Sequence, residues 1–144
     1  MSEAKQIKTS PNDHRHYRHL TLKNGLSVLL VEDQQATQSA ASMAVAVGHF
    51  DDPAERPGMA HFLEHMLFLG TEKYPESGEY SAFINQHGGT NNAWTGTEHT
   101  NFFYSINAEQ FEASLDRFSQ FFIAPLFNID LVDPERHAMN QNLV

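Results

Sequence analysis

The sequence predicts an α+β fold with helices packed on one face of a largely antiparallel sheet. Asn24-Gly25 lies between two runs of β-forming residues, and this dipeptide is a strong signal for a hairpin. Residues 58–70 carry apolar side chains at helical spacing, whereas residues 91–97 and 100–106 are rich in Thr and aromatic side chains, as strands are. Because the strands come in groups with helices set between them, an antiparallel sheet is favoured over a regular βαβ alternation.

The N-terminal half is expected to supply the first strands. Residues 17–22 and 26–32 would pair as the hairpin, and residues 1–16 would form a flexible, polar leader. Residues 39–48 are small and β-compatible, which favours a central strand. Residues 50–57 are rich in Asp and Pro and are interpreted as the loop that leads into the first helix.

Four helices follow from the spacing of apolar residues and from their end signals. The first extends from about Gly58 to Gly70, and the second from about Gly78 to Gln86, where His-Gly-Gly closes it. The third begins at residue 107 or 108 and ends near residue 122. Its predicted apolar face consists of Phe111, Leu115, Phe118 and Phe122. Asp133-Pro134-Glu135 has the form of an N-cap and first turn, and so opens a fourth helix.

Composition narrows the functional classes. The chain has 144 residues, 40% of them hydrophobic and 11% aromatic, which is enough for one domain with a core and argues against disorder. A net charge of −9 with nine Lys and Arg argues against nucleic acid or an anionic membrane surface as a partner. Cysteine is absent, so only His and carboxylate side chains remain as metal ligands. Neither a signal peptide nor a membrane span is visible, and the cytoplasm is the expected compartment.

The string H-F-L-E-H at residues 61–65 points to metal chemistry. His61 and His65 are four residues apart, so on a helix they lie about 40° apart on one face, and Glu64 projects beside them. This is the usual H-E-x-x-H zinc motif in reverse. Two imidazoles would hold zinc, and the carboxylate would take a proton from the water that attacks a carbonyl carbon. The alternative is an ordinary amphipathic helix with histidines at its rim, packed through Met59, Phe62, Leu63, Met66, Leu67 and Leu69.

A longer series of motifs carries a family resemblance. It consists of the Asn-Gly hairpin, V-A-V-G, D-D-P-x-x-x-P-G-M-A-H-F-L-E-H-M-L-F-L-G-T-E-K-Y-P, H-G-G-T-N-N-A-W-T and H-T-N-F-F-Y. Over residues 17–139 it resembles the pitrilysin and insulysin (insulinase) family of zinc metallopeptidases. The resemblance implies a clam-shell of homologous α+β domains that encloses a chamber, with zinc in the first domain. Residues 17–144 would then be the truncated N-terminal part of a peptidase domain.

The resemblance also implies roles for individual residues. His61 and His65 match the two zinc histidines, and Glu64 matches the general base. Asn92 and Ala93 match the strand-edge pair that binds substrate backbone, which is physically reasonable because an exposed strand edge can bind any extended peptide.

Two neighbouring aromatic side chains are candidates for a substrate pocket. Trp94 and Phe102 lie in the predicted strands beside the strand-edge pair. Packing between sheet and helices is the simpler interpretation of both.

The sequence departs from the family pattern at the third ligand. The family has a glutamate seven residues beyond a position that corresponds to Glu135, and here Asn142 occupies it. A neutral amide oxygen is a weaker zinc donor than a carboxylate. Glu135 lies about 10 Å nearer the helix start and is assigned a supporting role outside the ligand set. His137 would face away from Asn142, toward solvent.

Two functions follow from these residues. The first is a zinc-dependent metalloendopeptidase that acts on peptides or small proteins, with little activity in this chain alone. The second is a non-catalytic module of the same fold that binds a peptide or a partner. The expected partners are a peptide substrate and the missing remainder of the peptidase or a partner half. Whether the chain is a fragment, a truncated gene product or a natural short relative is left open.

Overall fold

The computed structural model describes residues 7–134, which form two compact units, residues 7–36 and residues 37–134. Every strand pair in these units is antiparallel, and helices pack against the strands of the second unit. The predicted α+β class is therefore confirmed.

The first unit contains the predicted hairpin. β1 (His16–Thr21) pairs with β2 (Ser27–Glu32) in a register that places Thr21 opposite Ser27. In the turn, the side-chain oxygen of Asn24 accepts a hydrogen bond from the Leu26 N–H at 3.1 Å, and Gly25 adopts a φ of 89°. The predicted hairpin is therefore present, and each turn residue contributes to it: Asn24 bonds the backbone two residues on, and Gly25 adopts the left-handed region that glycine tolerates.

The second unit contains a three-stranded sheet in the order β3-β5-β4, formed by β3 (Gln38–Val45), β4 (Thr90–Thr95) and β5 (Thr100–Asn107). The prediction that residues 39–48 form a central strand is wrong for this sheet, because β5 lies between the other two. Small side chains are compatible with either position in a sheet, so composition did not determine the order. β5 instead supplies the large buried side chains.

Three α-helices connect and cover the strands: α1 (Met59–Leu67), α2 (Glu79–Gln86) and α3 (Phe111–Gln120). Short 3-10 segments at His49–Asp51 and Ala108–Gln110 precede α1 and α3. The first three of the four predicted helices are present, with ends within a few residues of those expected.

The fourth helix begins earlier than predicted. Residues 129–134 are already helical, and the Asn128 side-chain oxygen accepts a hydrogen bond from the Asp130 N–H at 3.0 Å. Asn128 therefore accepts a hydrogen bond from a backbone N–H at the helix start, as an N-cap residue does. The sequence had predicted Asp133 as the N-cap. Glu135, His137 and Asn142 lie outside the described residues.

The core lies between the three helices and one face of the sheet. Its buried members are Leu67, Tyr80, Ile84, Phe102, Tyr104, Ile106, Phe118 and Phe121. Because Phe102 is only 3% exposed and belongs to this cluster, its interpretation as packing is the correct one.

The predicted apolar face of α3 is confirmed except at Leu115. Phe118 is buried and Phe111 and Phe122 pack against the core cluster, whereas Leu115 is 40% exposed. Ser114, one residue before Leu115, is fully buried instead, with its hydroxyl 2.8 Å from the Phe111 carbonyl oxygen and 3.0 Å from the Tyr104 hydroxyl oxygen. A hydrophobic pattern alone does not reveal a buried serine whose polar partners are present.

Among residues 7–134, the helices are too short or too polar to cross a lipid bilayer.

The burial of Phe118 and the exposure of Leu115 give a stability prediction. Phe118→Ala should lower the free energy of unfolding by about 3–5 kcal/mol, because it removes a buried ring and leaves a cavity. Leu115→Ala, on the same helix, should cost about 1 kcal/mol or less, because its side chain is already partly in water. Urea unfolding of both variants measures the difference. Equal losses would show that the face assignment is incorrect.

Candidate metal centre

One turn of α1 brings two imidazoles and a carboxylate together. One potential ligand atom from each of His61, Glu64 and His65 lies within 4.8 Å of the others. The Nε2 atoms of His61 and His65 are 3.1 Å apart, and their ring centroids are 4.8 Å apart. Among residues 7–134 this is the only group of three or more His, Cys, Asp or Glu residues that could hold a metal ion. The helical spacing of the motif thus produces the convergence expected from sequence.

Burial within α1 follows the predicted apolar face only in part. Met66 and Leu67 are buried, as expected for a helix that packs on a core, whereas Met59 and Leu63 are 39% and 43% exposed. Glu64 is only 7% exposed, and its Oε2 atom accepts a hydrogen bond from the Thr95 hydroxyl of β4 at 2.5 Å. A buried carboxylate needs such a compensating hydrogen bond, and packing alone does not predict one at this position.

A loop carboxylate fixes the start of α1. Asp52 accepts hydrogen bonds from the backbone N–H of Ala60 at 2.8 Å and of Gly58 at 2.7 Å. The bond from Ala60, more than any other contact, lowers the pKa of Asp52 below its usual value. A negative charge at a helix N-terminus also interacts favourably with the helix dipole. Asp52 therefore determines where α1 begins. The start of the helix in turn determines where the His-Glu-His turn lies along the helix axis.

A third imidazole lies beside the pair. The ring of His49 is edge-on to His61, with centroids 6.3 Å apart, and its Nδ1 is 3.7 Å from the Asp52 carboxylate. The loop that carries His49 is held by backbone hydrogen bonds from His49 to Gly96 and from Phe50 to Thr97. The sequence did not indicate a role for His49, Asp52 or Thr95. The only sequence signal was an Asp three residues after a His, and this is too common to be informative.

The predicted strand-edge pair lies in β4, which ends the sheet order β3-β5-β4. Asn92 is exposed, whereas Ala93 is half-buried on the face that contacts the helices. The Asn92 side-chain oxygen accepts a hydrogen bond from the Ala93 N–H at 2.8 Å. The Ala93 N–H therefore already has an acceptor within its own strand. Trp94 is 45% exposed and contacts the His99 ring edge-on.

Comparison with known proteins identifies relatives. The family model described as Insulinase (Peptidase family M16) matches residues 27–143. The insulin-degrading enzyme of Mus musculus is 47% identical over 135 residues, which is 94% of this chain and 13% of the enzyme. The A-factor-processing enzyme of Saccharomyces cerevisiae is 48% identical over 128 residues, which is 89% of this chain and 12% of that protein.

Solved structures give the same result. The crystal structure of pitrilysin matches with a TM-score of 0.92 and 35% sequence identity, over 96% of this chain and 15% of pitrilysin. A protease from Helicobacter pylori matches with a TM-score of 0.81 and 26% identity. The chain therefore spans less than a third of the length of each of these relatives.

The Asp52 contacts predict an acid-dependent loss of stability. A carboxyl group whose pKa is lower in the folded chain stabilises the fold above its usual pKa of 3.8, and this contribution is lost as the pH falls through the lower value. Asp52→Asn should therefore be less stable than wild type at pH 7, and the difference should shrink as the pH falls below about 4. Urea unfolding between pH 7 and pH 3 tests this.

The matched control for Asp52→Asn is Glu98→Gln, which removes one negative charge at an exposed position. A stability difference between Asp52→Asn and wild type that does not change with pH would contradict the proposed origin of the effect.

Proposed function

Because the chain belongs to the insulinase family of peptidases, we propose that it carries the zinc-binding helix of a metalloendopeptidase that hydrolyses peptides or small proteins. The observation that carries this proposal is the convergence of two imidazole nitrogens and a buried carboxylate on one turn of α1. The family supplies the reaction class, and the geometry of α1 supplies the groups that such a reaction needs.

The donor set of α1 fits zinc. His61 and His65 would hold the ion through Nε2 atoms that are 3.1 Å apart, close to the separation of about 3.3 Å expected for two nitrogen ligands of one tetrahedral zinc. Neutral imidazole is a preferred zinc ligand. When bound, zinc would acidify water and polarise the carbonyl of the scissile bond.

Glu64 is proposed as the general base. Its Oε2 atom is already occupied by the Thr95 hydroxyl, which leaves Oε1 to accept the proton of the attacking water. Burial beside β4 limits the motion of the carboxylate, and it therefore stays within reach of the histidines.

An extended peptide would align along β4. A strand edge binds the backbone of any peptide through N–H and C=O groups, and this leaves selectivity to side-chain pockets. Asn92 and Ala93 are the proposed contacts. Their strand also carries Thr95, so substrate backbone and general base would be positioned by one element.

Further parts of the site are proposed from sequence alone. Asn142 occupies the position of the third zinc ligand, where a neutral amide would bind more weakly than a carboxylate. Glu135 would support the site from outside the ligand set. Since the chain covers 13% of the insulin-degrading enzyme that it matches, the remainder of a peptidase or a partner half is the proposed partner.

The proposal predicts one zinc ion per chain. His61→Ala and His65→Ala should each weaken zinc binding by more than about 100-fold, because even groups behind the ligands are worth 10–100-fold. Glu64→Gln should keep the zinc. His87→Ala is the control, since His87 is not one of the three converging residues and its Nδ1 atom lies 2.8 Å from the Phe83 carbonyl oxygen. Isothermal titration with zinc measures all four variants.

The zinc measurement also distinguishes the second function. A chain that binds no zinc but still binds an extended peptide would be a non-catalytic module of the same fold. The neutral Asn142 is the observation that favours this alternative.

The chain alone should show little or no zinc-dependent peptide hydrolysis, because Asn142 leaves the ion with two strong ligands. Asn142→Glu should raise zinc affinity by about tenfold or more, since it restores a charged ligand. A fluorogenic peptide assay, with zinc titration in parallel, measures both. Rapid turnover by the wild-type chain that is lost with chelator and in Glu64→Gln would contradict the expected inactivity and would support the peptidase assignment directly.

A further inference from the structure

We propose that Thr95 is a positioning residue that holds Glu64 in the role of base and keeps its carboxylate from becoming a metal ligand. This inference rests on the proposed function. Its observations are the hydrogen bond from the Thr95 hydroxyl to the Glu64 Oε2 atom and the closeness of that carboxylate to both imidazoles.

The direction of the hydrogen bond follows from the chemistry of its partners. An ionised carboxylate only accepts, so the single hydroxyl proton of Thr95 is committed to Glu64. The neighbouring Thr100 hydroxyl donates to the Val47 carbonyl oxygen at 2.9 Å and lies 3.5 Å from the Thr95 hydroxyl oxygen. Because Thr100 has its own acceptor, it does not compete for Glu64. Each hydroxyl in this corner of the sheet therefore has one defined acceptor.

The fold directs Thr95 toward α1. Side chains alternate along β4, so Ala93 and Thr95 share the face that contacts the helices. Thr95 is the last residue of the strand and pairs directly with the buried Thr100 of β5. The contact with Glu64 joins residues 31 positions apart, and it ties the strand that would bind substrate to the helix that would bind zinc.

The need for such a restraint follows from the ligand count. His61 and His65 supply two neutral ligands, and a zinc ion with two neutral ligands attracts any nearby carboxylate. A potential ligand atom of Glu64 lies within 4.8 Å of those of the histidines, so a modest rotation would bring it to the ion. A carboxylate that coordinates the metal no longer serves as a free base. The hydrogen bond to Thr95 opposes that rotation.

The test uses cobalt(II) as a spectroscopic substitute for zinc, bound to the full 144-residue chain. In the wild-type chain, Glu64→Gln should change cobalt affinity by less than about twofold, because Glu64 is not a ligand. In Thr95→Val, the Glu64 carboxylate loses its hydrogen bond and should coordinate the cobalt ion. The affinity for cobalt should then rise by about tenfold, and the visible absorption spectrum of the bound cobalt should change. Adding Glu64→Gln to Thr95→Val should abolish both changes.

Two further variants separate the hydroxyl from packing. Thr95→Ser keeps the hydroxyl and should behave as wild type does. Thr90→Val removes a threonine hydroxyl from the exposed start of the same strand, where it lies near Ser105, and should also have no effect. Thr95→Ala provides a second variant without the hydroxyl if Thr95→Val does not fold.

A metal-free measurement keeps this inference separate from the proposed function. The carbon-13 resonance of the Glu64 carboxyl group should shift in Thr95→Val and Thr95→Ala but stay in place in Thr95→Ser and Thr90→Val. An unchanged resonance in all four variants overturns the proposal. It is also overturned if the higher cobalt affinity of Thr95→Val remains after Glu64→Gln is added, or if Glu64→Gln alone lowers the cobalt affinity of the wild-type chain by more than about twofold. If the wild-type chain binds no metal, the proposed function fails, whereas the resonance still decides whether Thr95 holds Glu64.

Discussion

The contact between α1 and β4 determines where the groups of the candidate site lie. Glu64 is buried at this contact, and a buried carboxylate is tolerated only with a hydrogen-bond partner. Thr95 is that partner. A shift of β4 by one residue would turn Thr95 to the other face of the sheet, because side chains alternate. The register between β4 and β5, which places Thr95 opposite Thr100, therefore controls the surroundings of the carboxylate.

The rest of the second unit restricts the same contact from two sides. Asp52 fixes the first turn of α1 through two backbone N–H groups, and the loop around His49 is bonded to the turn between β4 and β5. Gly48 approaches that turn so closely that a Cβ atom would lie 2.5 Å from the Gly96 carbonyl oxygen. Loop, helix start and strand end are thus joined by short backbone contacts. Such contacts leave little freedom for α1 to slide along the sheet.

Features that depend on neighbouring residues could be predicted from the sequence. Features that depend on contacts between distant segments of the chain could not, and the reason is physical. The hairpin at Asn24-Gly25 and the convergence of His61 with His65 depend on residues within one turn, where backbone geometry alone sets the positions. The central position of β5 depends on pairing between distant segments, as does the hydrogen bond of Thr95. The exposed Leu115 shows a third cause: the neighbouring Ser114 is fully buried, and a hydrophobic pattern assigns inward positions only to apolar side chains, although the helix itself was correctly predicted.

Local and distant contacts contribute differently to the proposed metal binding and to the proposed peptide hydrolysis. The two proposed zinc histidines and the base come from one helical turn, so they need only α1 to be folded and held by β4 and Asp52. The proposed third ligand position belongs to a separate segment, and the proposed substrate binding requires the edge of β4 to be accessible. The proposed metal binding and the proposed peptide hydrolysis therefore depend on different parts of the structure. Weak metal binding can persist where hydrolysis does not, because affinity requires two converging nitrogens, whereas turnover also requires a restrained base and an aligned peptide bond.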